Sequence, residues 1–191
     1  FHARRNNEVI QALILKKIFR AKIKIIFTST AQREHTWITR WLIRQVDSVV
    51  ATCSGAAAVL KRNPDAIIPH GVDPETYTLP VDGKKVEWAS LGYPGEYGIG
   101  IFARIRSQKG IGILVDAMIP IMKENPAPTV LIAGETTQSN EGFVEKLKEK
   151  IKEENLENRI IFLGKIHYDN EVPKLMRGLS IVTALSTIEG F

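Results

Sequence analysis

Tyr97-Gly98-Ile99-Gly100-Ile101-Phe102, followed by Ala103-Arg104-Ile105-Arg106-Ser107-Gln108-Lys109-Gly110, decides the fold. The first six residues read as a buried strand, and the next eight open an amphipathic helix expected over 111–124. Fixed cations therefore stand where a strand ends and a helix begins. In an open parallel α/β sheet, ligands bind outside the carboxyl ends of the strands, and a helix N-terminus already attracts anions through its free N–H groups. Arg104 and Lys109 make such a cradle suited to a diphosphate.

Working outward, strands are expected at 98–103, 129–133, 159–163 and 181–185, with helices at 111–124, 141–154 and 170–178 between them. Pro126 and Pro128 close one helix, and Gly134 and Gly164 sit just past their strands as turn residues. Strictly alternating elements predict a doubly wound parallel sheet, here in the order 3-2-1-4. Its switch point lies between the first and fourth strands, so the Arg104–Gly110 loop is expected to face Ser186-Thr187-Ile188-Glu189-Gly190-Phe191. Because the sequence stops there, just past a strand, it reads as a fragment of a longer protein.

The N-terminal block has the same grammar. Val9, Ile10, Leu13, Ile14 and Ile18 recur at helical spacing behind Asn6 or Asn7 as caps. Strands follow at Lys24–Thr28, Ser48–Thr52 and Ala66–Ile68, alternating with helices marked by Ile38, Leu42 and Val46 and by Ser54–Arg62, the latter opened by Ser54 as cap. Residues 69–97 are punctuated by proline and glycine and lack periodicity. The expected organisation is a partial domain at 1–72, a linker at 73–96 and a second partial domain at 97–191.

Composition bounds the function. The 191 residues are 44% hydrophobic and 25% charged, a globular balance, and no apolar run approaches the roughly 20 residues needed to cross a bilayer. A cytoplasmic protein is expected. Cys53 is the sole cysteine, which leaves no intrachain disulfide, and its neighbours Ala51, Thr52, Ser54 and Gly55 point to a small buried side chain at a strand end. The formal charge of +5 is concentrated in the N-terminal third, which suits an anionic partner or simply a solvated basic surface. His2 and His167 have no metal-ligand spacing, so no metal site is expected.

Gly98-x-Gly100-x-x-Ala103 formally matches a dinucleotide fingerprint, but its glycines fall inside the strand rather than in the turn after it. A diphosphate leaving group fits better. Negative charge develops on it as its bond to a sugar breaks, and cations and helix amides stabilise that charge without a metal. A guanidinium at position 104 chelates two oxygens, whereas the ammonium at 109 supplies a point charge. Arg106 reads either as a third cation or as a surface residue paired with an acid.

These residues resemble a known family. Arg104-Ile105-Arg106-Ser107-Gln108-Lys109-Gly110 is similar to the Gly-Arg-Leu-x-x-x-Lys-Gly loop of the family 4 glycosyltransferases of GT-B fold, with Ala103 in place of the usual Gly. Ile68-Pro69-His70-Gly71-Val72-Asp73 resembles their interdomain Pro-Asn/His-Gly-Val-Asp segment, and Glu189-Gly190-Phe191 the start of their Glu-x7-Glu motif. The resemblance runs from about Lys24 onward and implies the GT-B architecture of two Rossmann-like domains, each partly present here. It also implies a retaining, metal-independent sugar transfer from a nucleotide-diphosphate sugar, GDP-mannose among the candidates. Arg104, Lys109 and Gly110 would hold the diphosphate, Glu189 would lie beside the transferred sugar, and the amides of Gly190 and Phe191 would contact sugar hydroxyls or phosphate. The second Glu of that motif falls past residue 191, so the fragment itself is expected to be inactive.

Within the family, the N-terminal segments resemble those of enzymes building the lipopolysaccharide inner core, mannosyltransferases among them. Arg4, Arg5, Arg33 and His35 become the expected acceptor-side residues, and His70 a hinge residue beside a Gly71 whose backbone angle only glycine adopts. Arg33, Trp37, Arg40 and Arg44 form a basic stripe with one aromatic, suited to an anionic lipid-linked acceptor or to contact with the inner membrane. The alternative is an exposed helix with Trp37 packed into the core. A nucleotide-sugar 2-epimerase of related fold, and a noncatalytic module binding phosphorylated glycans or nucleic acid, are the competing functions; nucleic acid is not the expected partner.

Overall fold

A computed structural model describes residues 1–77 and 86–187. They form two compact units, one reaching from Phe1 to Val72 and the other from Asp73 to Thr187.

In the first unit, β1 (His2–Ala3), β2 (Ile26–Ser29), β3 (Ser48–Ala51) and β4 (Ala66–Ile67) form a parallel sheet in the order 1-2-3-4. The crossovers are α1 (Asn6–Lys17), α2 (Trp37–Ile43) and α3 (Ser54–Ala58). Val9, Ala12 and Leu13 of α1 share one core with Leu42 and Ile43 of α2 and with Phe27, Val49 and Ala51 of the sheet. Asp47 fastens the lower end of β2, accepting the Ile25 N–H at 2.7 Å and the Lys16 ammonium at 2.6 Å.

Local caps differ from the sequence reading. Neither Asn6 nor Asn7 opens α1; the cap position is Arg5, and the Glu8 carboxylate accepts the N–H groups of Arg4 at 2.6 Å and Arg5 at 3.1 Å. An acid in the first turn satisfies free amides and complements the helix dipole, so it replaces a side-chain cap. These bonds hold the Glu8 carboxyl below its usual range. For α3 the cap is Cys53 rather than Ser54, its Sγ accepting the Ala56 N–H at 3.3 Å. Gly71 does not have the positive φ expected of it. Nothing crowds its Cα either, so neither steric reason for glycine applies there.

In the second unit, β5 (Tyr97–Phe102), β6 (Pro128–Ala133), β7 (Ile160–Gly164) and β8 (Ile181–Thr183) are all parallel, in the order 7-6-5-8. This is the expected 3-2-1-4 arrangement. The helices are α4 (Ile111–Glu124), α5 (Glu141–Glu153) and α6 (Glu171–Gly178). One core lies under α4 and α5, where Ile111, Val115, Leu147 and Ile151 meet Ile101, Val130 and Ile132. Arg159 ties off the end of α4 by donating to the carbonyls of Met122, Asn125 and Pro128 at 2.8–2.9 Å.

The opposite face explains the glycines of β5. A Cβ at Gly98 would run into the Trp88 ring and Leu179, and one at Gly100 into Leu179. Trp88 belongs to a 3-10 turn (Trp88–Leu91), is buried, stacks on Tyr93 and donates its indole N–H to the Pro94 carbonyl at 2.9 Å. Thr129 of β6 donates to the same carbonyl at 2.7 Å. Residues 86–96 are thus part of this unit's packing: an aromatic that size contributes about 2–3 kcal/mol once buried.

Candidate active site

The carboxyl edge of the second sheet gathers four loops. After β5 the chain keeps pairing beyond the strand: Ala103 N–H donates to the Ala133 carbonyl at 3.0 Å and Ile105 N–H to the Glu135 carbonyl at 3.0 Å. Gly134 continues the pattern, donating to the Gly164 carbonyl at 2.8 Å. No side chain fits at position 134, because a Cβ would strike the Ala103 carbonyl. Ile105, 1% exposed, anchors the loop in the core, so its neighbours Arg104 and Arg106 are held near the sheet edge.

A 3-10 turn (Ser107–Lys109) leads to Gly110, whose φ of +72° turns the chain into α4. That conformation suits glycine, and a side chain there would also collide with the backbone of Leu185, past β8. Thr187 N–H donates to the Gln108 carbonyl at 3.0 Å, with the Thr187 hydroxyl on the same acceptor at 3.3 Å. The loops after β5 and β8 therefore meet at the switch point. Glu189, Gly190 and Phe191 lie outside the described residues.

The cations are exposed or half-buried at this edge. Arg104 is exposed and has no hydrogen-bond or ion-pair partner among the described residues. Lys109 is half-buried at the entrance to α4. Arg106 is half-buried, and its Nε is shielded from solvent without a partner among the described residues; no acid pairs with it there. No side chain caps α4 and no acid occupies its first turn, so its dipole adds to the positive potential.

Arg104 lines a cavity of about 200 Å³ with Glu135, Lys165 and Tyr168 from the loops after β6 and β7. The sequence reading missed those three. Their signal was positional: each follows a strand of the same sheet, where the carboxyl-edge rule applies to β6 and β7 as much as to β5.

The acceptor-side candidates sit in the first unit and separate into two groups. Arg4 lines a cavity of about 500 Å³ with His2, Thr28, Thr52 and His70, over the sheet face that carries Ile26 and Val50, and His2 Nε2 lies 2.7 Å from the Thr28 hydroxyl. Arg5 and Arg33 are exposed. His35 is instead half-buried, 3.2 Å from the Ser29 hydroxyl, beside Arg40 and Arg44. Burial, then the charges of Arg40 and Arg33, hold its imidazole below the usual 6.5. Among the described residues no group of His, Cys, Asp and Glu has the arrangement of a metal site.

A parallel α/β unit with cations at a helix entrance and a second loop locked against them at the switch point has the features on which α/β anion sites are built. The chain belongs to the glycosyl transferases group 1 family, whose profile matches residues 87–191, more than half of its length. All of it is 38% identical to 53% of the lipopolysaccharide core biosynthesis mannosyltransferase LpcC of Rhizobium leguminosarum bv. viciae. A crystal structure of the C-terminal domain of a glycosyl transferase group 1 family protein (LpcC) from Francisella tularensis is 39% identical, with a TM-score of 0.58 over 63% of this chain and 62% of that one. Anabaena Alr3699/HepE, solved in complex with UDP and glucose, is a likeness in fold alone: 23% identity, TM-score 0.82, all of this chain and 53% of that one. The α/β GT-B architecture expected from the sequence is borne out. The chain spans about half the length of the curated relatives it matches.

Proposed function

We propose that the complete protein transfers a sugar, mannose being the first candidate, from a nucleotide-diphosphate donor to a lipopolysaccharide-core acceptor. Anomeric configuration is retained and no metal takes part. The observation that carries this reading is the junction of the Arg104–Gly110 loop with the loop after β8, which gathers two cations and an uncapped helix at one edge.

When the bond between the sugar's anomeric carbon and the β-phosphate oxygen breaks, the electron pair stays on the diphosphate. Arg104 chelates two of its oxygens, Lys109 adds a point charge and the first amides of α4 complete the cradle. Each such contact contributes about 2–4 kcal/mol to the transition state in a water-poor site. Glu189, two residues past the Thr187 anchor, serves the sugar, with Gly190 and Phe191 beside it. The mannosyl specificity and the core acceptor are supported by the relatives' names, and the first unit, with Arg4, Arg5, Arg33 and His35, takes the acceptor side. The reaction belongs to the cytoplasm, where nucleotide sugars are made.

The test is calorimetric titration of GDP, UDP and ADP into the full-length protein, followed by transfer from the matching nucleotide sugar. One nucleotide diphosphate should saturate, Arg104→Ala and Lys109→Ala should each lower turnover about 30- to 1,000-fold, and chelators should change nothing. Saturable binding indifferent to both substitutions refutes the assignment.

A further inference from the structure

Residues 73–77, the start of the stretch read from the sequence as a linker, are bonded to the second unit. The Asp73 carboxylate accepts the Glu75 N–H at 3.0 Å and the Thr76 hydroxyl at 2.5 Å, and the Tyr77 N–H donates to the Asp73 carbonyl at 3.1 Å. These five residues close into one turn by their own bonds. Asp73, the last residue of the Ile68–Asp73 segment, organises that turn, and the bonds it accepts hold its carboxyl below the usual range.

Two long-range bonds fasten the turn. Arg177, near the end of α6, donates from Nη2 to the Thr76 carbonyl at 2.7 Å in a partly buried contact that spans 101 positions of sequence. The Tyr77 hydroxyl donates to the Tyr168 carbonyl at 3.2 Å, across 91 positions. Arg177 stands on a firm base. Its Nε is shielded from solvent, a Cβ on its neighbour Gly178 would collide with Leu91, and Leu175 of the same helix is packed in one core with Trp88 and Leu131. One bond therefore pins the turn to a packed helix, and the other carries it to a loop.

That loop is a wall of the Arg104 cavity, lined by Lys165, Ile166 and Tyr168. Ile166 packs against the core around Trp88 and Leu179, and the Glu171 carboxylate accepts the His167 N–H at 2.6 Å. Lys165 and Tyr168 are exposed, Tyr168 by 67%. An exposed loop of this kind opens at little cost in free energy unless its backbone is tied down. The Tyr77 hydroxyl supplies a tie at the very residue whose side chain lines the cavity.

We propose that the turn Asp73–Tyr77 is a strap that sets the wall of the donor cavity, with Tyr77 and Arg177 as positioning residues. Neither lines the cavity; Arg177 holds the strap, and the strap holds Tyr168. The inference rests on the reading that the Arg104 cavity takes part of the nucleotide-diphosphate donor. A wall fixed in advance removes the ordering that a donor would otherwise have to impose, so the strap contributes affinity rather than chemistry.

The experiment titrates GDP, UDP and ADP into the full-length protein and its variants by calorimetry, then measures transfer from the matching nucleotide sugar. Tyr77→Phe removes one hydroxyl from an exposed ring; it should raise Kd and KM about 3- to 10-fold and leave kcat within about 2-fold. Arg177→Met should raise both about 10-fold, and Arg177→Lys, which can still donate to one carbonyl, should recover most of the loss. In a Tyr168→Ala background, Tyr77→Phe should add little, because the path runs through Tyr168. Hydrogen exchange of the unliganded protein should quicken at residues 165–170 in Tyr77→Phe while the thermal midpoint stays unchanged, a signature that general loss of stability does not produce. Should Arg177→Met fail to fold, Tyr77→Phe decides the matter without it. Unchanged Kd in Tyr77→Phe, with Arg104→Ala still weakening the same nucleotide, overturns the strap alone. So does full additivity of Tyr77→Phe with Tyr168→Ala, or unaltered exchange at 165–170. Absence of any saturable nucleotide, or indifference to Arg104→Ala, overturns the donor reading and this inference together.

Discussion

Thr187 donates its backbone N–H to the carbonyl of Gln108 at 3.0 Å, joining positions 79 residues apart. Parallel strands brought side by side make this possible: β5 and β8 are neighbours although β6, β7 and three helices intervene in sequence. The second contact at that junction is Gly110 against Leu185, and it is the more sensitive of the two.

Gly110→Ala should destabilise the second unit by about 2 kcal/mol, from the left-handed backbone angle together with the collision at Leu185. Gly112→Ala is the matched control. Its Cβ would meet only the Phe143 ring, at an ordinary 3.8 Å, so it should gain about 0.5–1 kcal/mol from helix propensity. Denaturant titration of both variants checks the pair.

Arg159→Met should cost about 2–4 kcal/mol. It keeps the aliphatic stem but strips a charged donor from the carbonyls of Met122, Asn125 and Pro128, two of these bonds being partly buried. The midpoint of urea unfolding should drop with little change in slope.

Lys165→Ala should weaken nucleotide diphosphate binding about 3- to 10-fold at low salt and less at high salt, because Lys165 shares the Arg104 cavity without being buried. Calorimetry at two ionic strengths reads this directly. An effect that persists undiminished in high salt would indicate a buried contact instead.

His35 should titrate below 6.5 by NMR, burial being the larger cause and the charges of Arg40 and Arg33 the smaller. The unfolded chain then binds the proton more readily than the folded one. Stability of the first unit should therefore start to fall as pH drops below about 6.5 and stop falling, on this account, once pH passes beneath the folded value. His35→Gln should flatten that dependence.

Much of this was legible in the chain because α/β alternation leaves regular marks. The helix expected at 111–124 is α4, and the strand order followed from alternation with Gly134 and Gly164 as punctuation. Gly98 and Gly100 were correctly kept out of a phosphate-binding turn, yet their purpose was not readable: Trp88 and Leu179, which need the space, are distant in sequence. Long-range partners also hid Arg159, and Glu135, Lys165 and Tyr168 converge only in three dimensions. Trp37 was ambiguous for another reason. Its spacing allowed either side of the helix, and the core was taken by the more compact Thr39, Leu42 and Ile43.

The hydrogen bonds that run past the ends of β5 and β6 fix the span around Arg104 before any ligand arrives. A mount of that kind behaves as a gauge: it selects by reach, since the backbone has little freedom to follow a ligand that is too short. Monophosphates should therefore be rejected for failing to bridge the cradle rather than for failing to close it, and the backbone has little ordering entropy left to lose when a ligand of the right span arrives, the exposed Arg104 side chain being the part that still has to be ordered.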